Sequence, residues 1–286
     1  MLSYKHMGQH PHRIIIEPSR QNSNYWKDIW KFRELFYFFA WRDILVRYKQ
    51  TVIGVAWSVL RPLLTIVIFT FFYILLNPAA DSAAVALQIS AGMLPWQYFA
   101  SVFTEASNSL IANSGMITKV YFPRIIVPVS TVIACLLDLL ISFVIIIVLM
   151  LCLQYTPSYR IIWLPVMILL ATITAMGSGI LIAALNVKYR DFRYIVPFIV
   201  QLGLYISPVV YSTELIFNSG LPAWVKLIYS LNPMVSVIDG FRWCLLDEHI
   251  ALYWPGLLTS FGITLLLLIA GIRYFRHTER NFADLI

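Results

Sequence analysis

Residues 125–153 read IIVPVSTVIACLLDLLISFVIIIVLMLCL. One charged side chain, Asp138, interrupts 29 residues. A bilayer core is crossed by about 20 helical residues, so a run of this length either tilts or begins before the hydrocarbon. The rest of the chain agrees with it. Of 286 residues, 60% are hydrophobic and 12% charged. Ordinary globular domains are about half apolar and about a quarter charged. The fold class read from this is an all-α integral membrane protein.

Working outward, five more segments reach spanning length. They lie at about 57–76, 86–111 (with Pro95 as a kink), 161–185, 192–211 and 251–272. Six spans are therefore expected in residues 51–286, after a cytosolic segment at 1–50. The first fifty residues are polar and basic with no early apolar run, so the first span itself is expected to direct insertion. Cationic residues sort the connections. Eighteen of the 21 Lys and Arg fall on one side: those up to Arg61, then Lys119 and Arg124, the loop at 186–194, and Arg273, Arg276 and Arg280. Arg160, Lys226 and Arg242 make up the other side. Both termini are expected in the cytoplasm, and the net charge of +7 belongs to the anionic inner face rather than to nucleic acid. Cys135, Cys152 and Cys244 show no pairing or ligand spacing, and no metal site is expected.

Two segments are helical without spanning. Residues 25–39 (YWKDIWKFRELFYFF) place Lys27, Asp28, Lys31 and Glu34 on one face and Trp26, Ile29, Trp30, Phe36 and Tyr37 on the other. Such a helix lies flat at the headgroup level. Residues 212–250 hold two apolar patches, 221–231 and 234–246, divided by Asn232-Pro233. Both are short for a span, and a pair of re-entrant or surface-lying helices capping the outer side is expected.

Between the second and third spans sits ITKVYFPRIIVP, residues 117–128. A short helix ending at Phe122-Pro123 offers Ile117, Val120, Tyr121 and Phe122 to a soluble groove, with Lys119 and Arg124 at its rim. The same residues would serve as a positive-inside anchor. Motion at this elbow could tilt the flanking spans.

Four patterns together resemble the ABC-2 type exporter permeases, and within them the subgroup that exports O-antigen, capsule or teichoic acid chains. They are WRDILVRYKQTVIGVAWSVLRPL (41–63), KVYFPR (119–124), RDFRYIVPFIVQLGLYISPVVY (190–211) and LNPMVSVIDGFRWCLL (231–246). The resemblance runs from about residue 28 to the end. It implies a homodimer of six-span subunits served by two separate ATPase subunits, with the first and fifth spans lining the path. By position it assigns the interface helix to 25–39, the outer gate to 212–250 and the coupling helix to about 113–122. The ATPase-docking residues would be Met116, Ile117, Thr118, Lys119, Val120, Tyr121, Phe122, Pro123 and Arg124.

No GxxxxGK[ST] occurs, so no phosphate cradle is present, no catalytic residue is expected, and ATP and Mg would be used by the partner. A lipid-linked diphosphate would meet Arg42, Arg47, Lys49 and Arg61 at the inner end of the first span, where Arg is costly unless it snorkels or meets an anion. Snorkelling also explains Arg42 and Lys49. Aromatic faces suit a sliding sugar polymer, and the candidates are Phe198, Tyr205, Tyr211, Trp224, Tyr229 and Trp243, with Phe217 and Phe241 nearby. Phe198 and Tyr205 are seven apart and share a helical face. Trp and Tyr also gather at membrane interfaces without any such role. Pro208 is expected to kink the fifth span. Asp138 reads as a helix–helix hydrogen bonder, protonated if unpaired, and Gly177 and Gly179 as a close-packing site. The alternatives are an ABC-2 exporter of small molecules or lipids and an ion-coupled secondary transporter. The latter predicts paired membrane acids. A membrane glycosyltransferase would need clustered acids, and Asp247-Glu248 is the only adjacent pair.

Overall fold

The computed structural model describes residues 25–49, 55–217, 220, 222–246, 252–279 and 282. Lys5, Arg13, Arg20 and Arg280 of the charge count, the 50/51 boundary and the Asp247-Glu248 pair lie outside the described residues.

Every element among the described residues is helical. The chain runs α1 (Tyr25–Lys31), α2 (Arg33–Lys49), α3 (Val55–Leu76), α4 (Ser82–Ala112), α5 (Ser114–Ile117), α6 (Ile126–Cys152), α7 (Leu164–Lys188), α8 (Phe192–Ile206), α9 (Thr213–Phe217), α10 (Ala223–Ser230), α11 (Pro233–Leu245) and α12 (Trp254–Thr278). Four helical stretches are long and apolar enough to cross a bilayer: Ala56–Leu76, Ile126–Cys152, Tyr159–Lys188 and Trp254–Thr278. The chain is thus a multi-pass membrane protein. α8 is apolar but has 15 residues, about 22 Å at 1.5 Å per residue.

α4 is the centre of the bundle. It starts at Asp81, whose side chain accepts from the Ala83 N–H at 3.1 Å, a side-chain N-cap. It then runs 31 residues and packs against α6, α7, α3 and α11. Small residues let helices close on α7. A Cβ on Gly177 would lie 2.7 Å from the Leu268 amide nitrogen of α12, and one on Gly179 would lie 2.9 Å from Ala106 Cβ of α4. The first contact brings two backbones together, which is what such a position is used for in membrane bundles.

α3 is the contrast. Pro62 is its only buried residue among those described, while Trp57, Leu64, Ile68, Phe71, Phe72 and Leu75 are exposed. α8 likewise buries only Val196 and leaves Phe198 and Tyr205 about 60% exposed.

Four expectations need correction. The helix expected at 25–39 is two helices, broken at Phe32, and the second continues to Lys49. Its apolar residues are split between faces: Ile29 and Phe36 pack inward, whereas Trp26, Trp30, Tyr37, Phe38 and Trp41 are exposed. The helix expected over about 113–122 has four residues, those of α5. α8 stops at Ile206, with Ser207 already extended at ψ 150°, so Pro208 lies beyond the helix and kinks nothing. Proline lacks the N–H that would continue the ladder, and it disfavours α geometry at the residue before it, which here is Ser207. Finally, the patch at 234–246 is not surface-lying: Val237, Ile238 and Phe241 of α11 are wholly buried. Asn232 starts α11, accepting from the Met234 N–H at 3.0 Å with Pro233 in the first turn.

Candidate functional site

Three polar sites lie along this bundle. The first is at the end of α2. Its last turn delivers Arg47 and Tyr48 onto α6. The Arg47 guanidinium donates to Asp138 of α6 and, at 3.0 Å, to Glu105 of α4. The Tyr48 hydroxyl and, at 3.2 Å, the Ser58 hydroxyl also donate to Asp138. One carboxyl thereby ties α2 and α3 to α6. A lone carboxylate inside a bilayer is expensive, and four donated hydrogen bonds shared by two acids supply what it needs. Asp138 is the helix–helix bonder expected, and its partners include a cation. The two acids also come from different helices, a juxtaposition the linear sequence does not show.

This geometry reorders the four cations of the inner entrance. Arg47 is engaged by two carboxylates of its own chain. Arg42 donates to Asp43 at 2.7 Å and to the Asn113 side-chain oxygen at 2.6 Å, and its guanidinium lies 5.1 Å from the Phe39 ring. Lys49 is exposed. Arg61 is exposed on α3 and has no side-chain partner among the described residues.

The second site is the elbow. Ile117 and Phe122 are 3% and 4% exposed, buried among Phe39, Leu110, Ile126 and Phe275 of their own chain, and Pro123 is buried with them. Neither apolar side chain is therefore offered to a partner, contrary to the sequence expectation. The outward set is Thr118, Lys119, Val120 and Tyr121, with Met116 half-buried. Arg124 turns away from the rim. Its backbone N–H donates to Glu279 Oε1 at 2.7 Å, and its guanidinium donates to the Glu279 carbonyl. The Tyr25 hydroxyl donates to Glu279 Oε2 at 2.9 Å. Burial pushes the Glu279 carboxyl above its usual range, against the pull of the Arg124 N–H, the Tyr25 hydroxyl and the Arg124 and Arg276 charges. Burial likewise raises the Tyr25 hydroxyl, with Glu279 adding to it.

The third site is on the other side of the bundle. Arg242 of α11 is 3% exposed and donates to three backbone carbonyls: Val209 at 2.8 Å, Tyr211 at 3.0 Å and Gln88 at 3.2 Å. Asp239 lies 3.8 Å away and accepts from the Thr213 hydroxyl at 2.8 Å. Gly92 makes room, since a Cβ there would sit 2.8 Å from both Arg242 Nη2 and the Val209 oxygen. Beside this knot opens a cavity of about 670 Å³, lined by Gln88, Glu214, Phe217, Asp239, Arg242 and Tyr253 among others.

Of the expected sugar-path aromatics, Tyr211 and Tyr229 meet side chain to side chain beside Phe217, and the others stand apart. Phe198 and Tyr205 share the exposed face of α8. The Tyr211 hydroxyl donates to the Ile206 carbonyl at 2.6 Å, and Trp224 is 64% exposed on α10. Tyr229 packs edge-on to Phe217, 6.3 Å between centroids, and Trp243 lies under Arg160 at 5.1 Å. Phe241 is wholly buried and lines nothing. Sequence reasoning missed Arg242 as a structural centre and Glu279 altogether. The signal for Arg242 was Asp239 three residues earlier in an apolar patch, an i,i+3 pair. Glu279 carries no local signal, because its partners are 155 and 254 residues away.

An O-antigen export system permease protein RfbA of Klebsiella pneumoniae is 30% identical over 246 residues, covering 86% of this chain and 92% of that protein. A second protein of that name and species is 29% identical over the same coverage. The O-antigen export system permease protein RfbA of Myxococcus xanthus is 24% identical over 260 residues, covering 91% and 98%. The family described as ABC-2 type transporter matches residues 34–246, from the start of α2 to the end of α11. With that match across most of its length, the chain belongs to the ABC-2 type transporter family of membrane proteins.

Proposed function

We propose that this chain is the permease of an ATP-driven exporter of lipid-linked polysaccharide, O-antigen or capsular polymer by preference, in the bacterial inner membrane. The observation that carries this reading is its similarity over 86–91% of its length to three proteins named O-antigen export permeases. Two copies would form the conduit, and two ABC ATPase subunits would drive it. α3, α4, α6, α7, α8 and α12 are the six spans in this reading. α8, with 15 residues, is the shortest of them. α9, α10 and α11 form the outer cap, with α10 and α11 re-entrant, and both termini face the cytoplasm.

The exposed faces of α3 and α8 line the path. Phe198 and Tyr205 supply broad faces over which a repetitive polymer slides, and Arg61, with no side-chain partner among the described residues, meets the diphosphate of the lipid anchor. The outward elbow residues Lys119, Val120 and Tyr121 dock the ATPase. Those residues stand on a buried base of Ile117, Phe122 and Pro123, so a push on them is not absorbed by a soft loop. The chain's part is to hold, orient and gate. ATP and Mg act at the partner.

The test is purification of the affinity-tagged chain from its native host, with co-purifying protein identified by mass spectrometry. An ABC ATPase is expected with the wild type. Lys119→Glu with Tyr121→Ala is expected to lower its recovery at least about tenfold, the scale of about 1.4 kcal/mol at an interface. No ATPase with the wild type, or undiminished recovery with the variant, rejects the reading.

A further inference from the structure

The elbow meets the end of α12 in an arrangement that docking alone does not need. Glu279 follows the last turn of α12 and reaches two distant segments. Oε1 accepts the Arg124 backbone N–H at 2.7 Å and Oε2 accepts the Tyr25 hydroxyl at 2.9 Å. The Glu279 carbonyl takes the Arg124 guanidinium. Cations flank the same spot over rings: Arg124 is 5.9 Å from Phe282, and Arg276 is 4.6 Å from Tyr25. Below lies an aromatic floor. Phe39, Phe275 and Phe282 are wholly buried, with Phe39 5.7 Å from Phe122 and Phe275 5.2 Å from Phe282.

That floor holds the segments together without help from a carboxyl. A buried carboxyl is a liability unless its hydrogen bonds are made. What Glu279 adds is direction, because two hydrogen bonds fix how the elbow and α1 sit against α12. The tip residues Lys119, Val120 and Tyr121 stand a few residues before Arg124. Force at the tip passes covalently to α4 and α6. Through Glu279 it also passes to α1 and α12, and α12 packs backbone to backbone on α7 at Gly177.

We propose that Glu279 is a positioning residue that joins the elbow, α1 and the cytosolic end of α12 into one lever, so that a push on the elbow moves the last span together with α4 and α6. This rests on the reading of the elbow as the ATPase dock.

The experiment uses the full permease with the ATPase that co-purifies with it, in the native host and in reconstituted vesicles. Three quantities are read: ATPase recovery, ATP turnover, and polymer exported per ATP. Glu279→Ala is expected to leave the first two within about twofold and to lower the third about tenfold, a coupling loss inside the usual range. Glu279→Gln keeps an acceptor for the Arg124 N–H and an amide that can donate to the Tyr25 oxygen, and it is expected to restore export per ATP to within about threefold of wild type. A glutamate that merely holds the fold would lower all three in proportion, and that result overturns the proposal. Unchanged export per ATP in Glu279→Ala also overturns it. If Glu279→Ala fails to accumulate, Tyr25→Phe removes one bond with little change in volume. It is expected to lower export per ATP about two- to threefold, and no change sinks the lever. Undiminished ATPase recovery in the Lys119 and Tyr121 variant would reject the dock instead, a readout that Glu279 does not enter.

Discussion

Two arginines in this bundle, one half-buried and one buried, are satisfied in opposite ways. Arg47 meets side chains, Asp138 and Glu105, with 24% of its own side chain exposed. Arg242 is 3% exposed and meets backbone, the carbonyls of Gln88, Val209 and Tyr211, with its nearest carboxylate 3.8 Å off. The difference lies in what each demands of its neighbours. Carboxylates come on the ends of side chains, so α4 and α6 stay regular around Arg47. Carbonyls of a regular helix are already taken by the ladder. Val209 and Tyr211 can serve Arg242 only because α8 has ended at Ile206 and the chain turns at Ser207-Pro208. Arg47 is a tie between helices, whereas Arg242 fixes the course of the backbone.

The first way to break the comparison is to remove Arg242. Arg242→Leu keeps apolar bulk and takes the donor from the Val209 and Tyr211 carbonyls, each worth about 1–3 kcal/mol when left unmet, while the Gln88 carbonyl keeps its place in the α4 ladder. A loss of about 3–5 kcal/mol is expected in reversible unfolding of the detergent-solubilised protein, with new protease cleavage at 207–217. A loss under about 1 kcal/mol would mean that the carbonyls find other donors, and Arg242 would then be no organiser of the α8 exit.

The side-chain tie should behave differently. Arg47→Met is expected to cost about 2–3 kcal/mol, softened because Tyr48 and Ser58 still donate to Asp138. Adding Asp138→Leu should recover part of that loss, since an apolar pair has no charge to desolvate. Additive losses in the double variant would show that the two residues act independently and that the tie is not an ion pair.

The same contrast explains what could be read from the sequence. The membrane fold was legible because apolar length is a local property: 125–153 and α6 (Ile126–Cys152) nearly coincide. Helix starts with a side-chain cap and a proline, such as Asn232-Pro233, were legible for the same reason. The end of α8 was misplaced by five residues, because apolar character continues to Val210 while the backbone is claimed by an arginine 33 positions on. Gly177 and Gly179 announced a close contact but not its partners. Within the candidate site, the elbow was found by its composition, yet which of its residues face out depends on Phe39 and Phe275 from the chain's two ends. Exposed Lys119 and buried Phe122 are three residues apart in the turns beyond α5, where no helical periodicity separates them.

The smallest effect distinguishes the two acids that share Arg47. Asp138 is 27% exposed and collects three donors, while Glu105 is 53% exposed and collects one, at 3.0 Å. An ion pair open to solvent is worth about 0–1 kcal/mol, because screening and side-chain entropy remove most of the Coulomb gain. Glu105→Gln, which keeps one oxygen for the Arg47 guanidinium, is therefore expected to cost less than about 1 kcal/mol in the same unfolding assay. Its effect should shrink further as salt rises, while that of Asp138→Asn holds, since screening weakens exposed pairs far more than buried ones. Equal, salt-independent losses in the two variants would mean that both acids are closed off from solvent in the assembled protein, most directly by a second copy covering the face of α4 on which Glu105 stands.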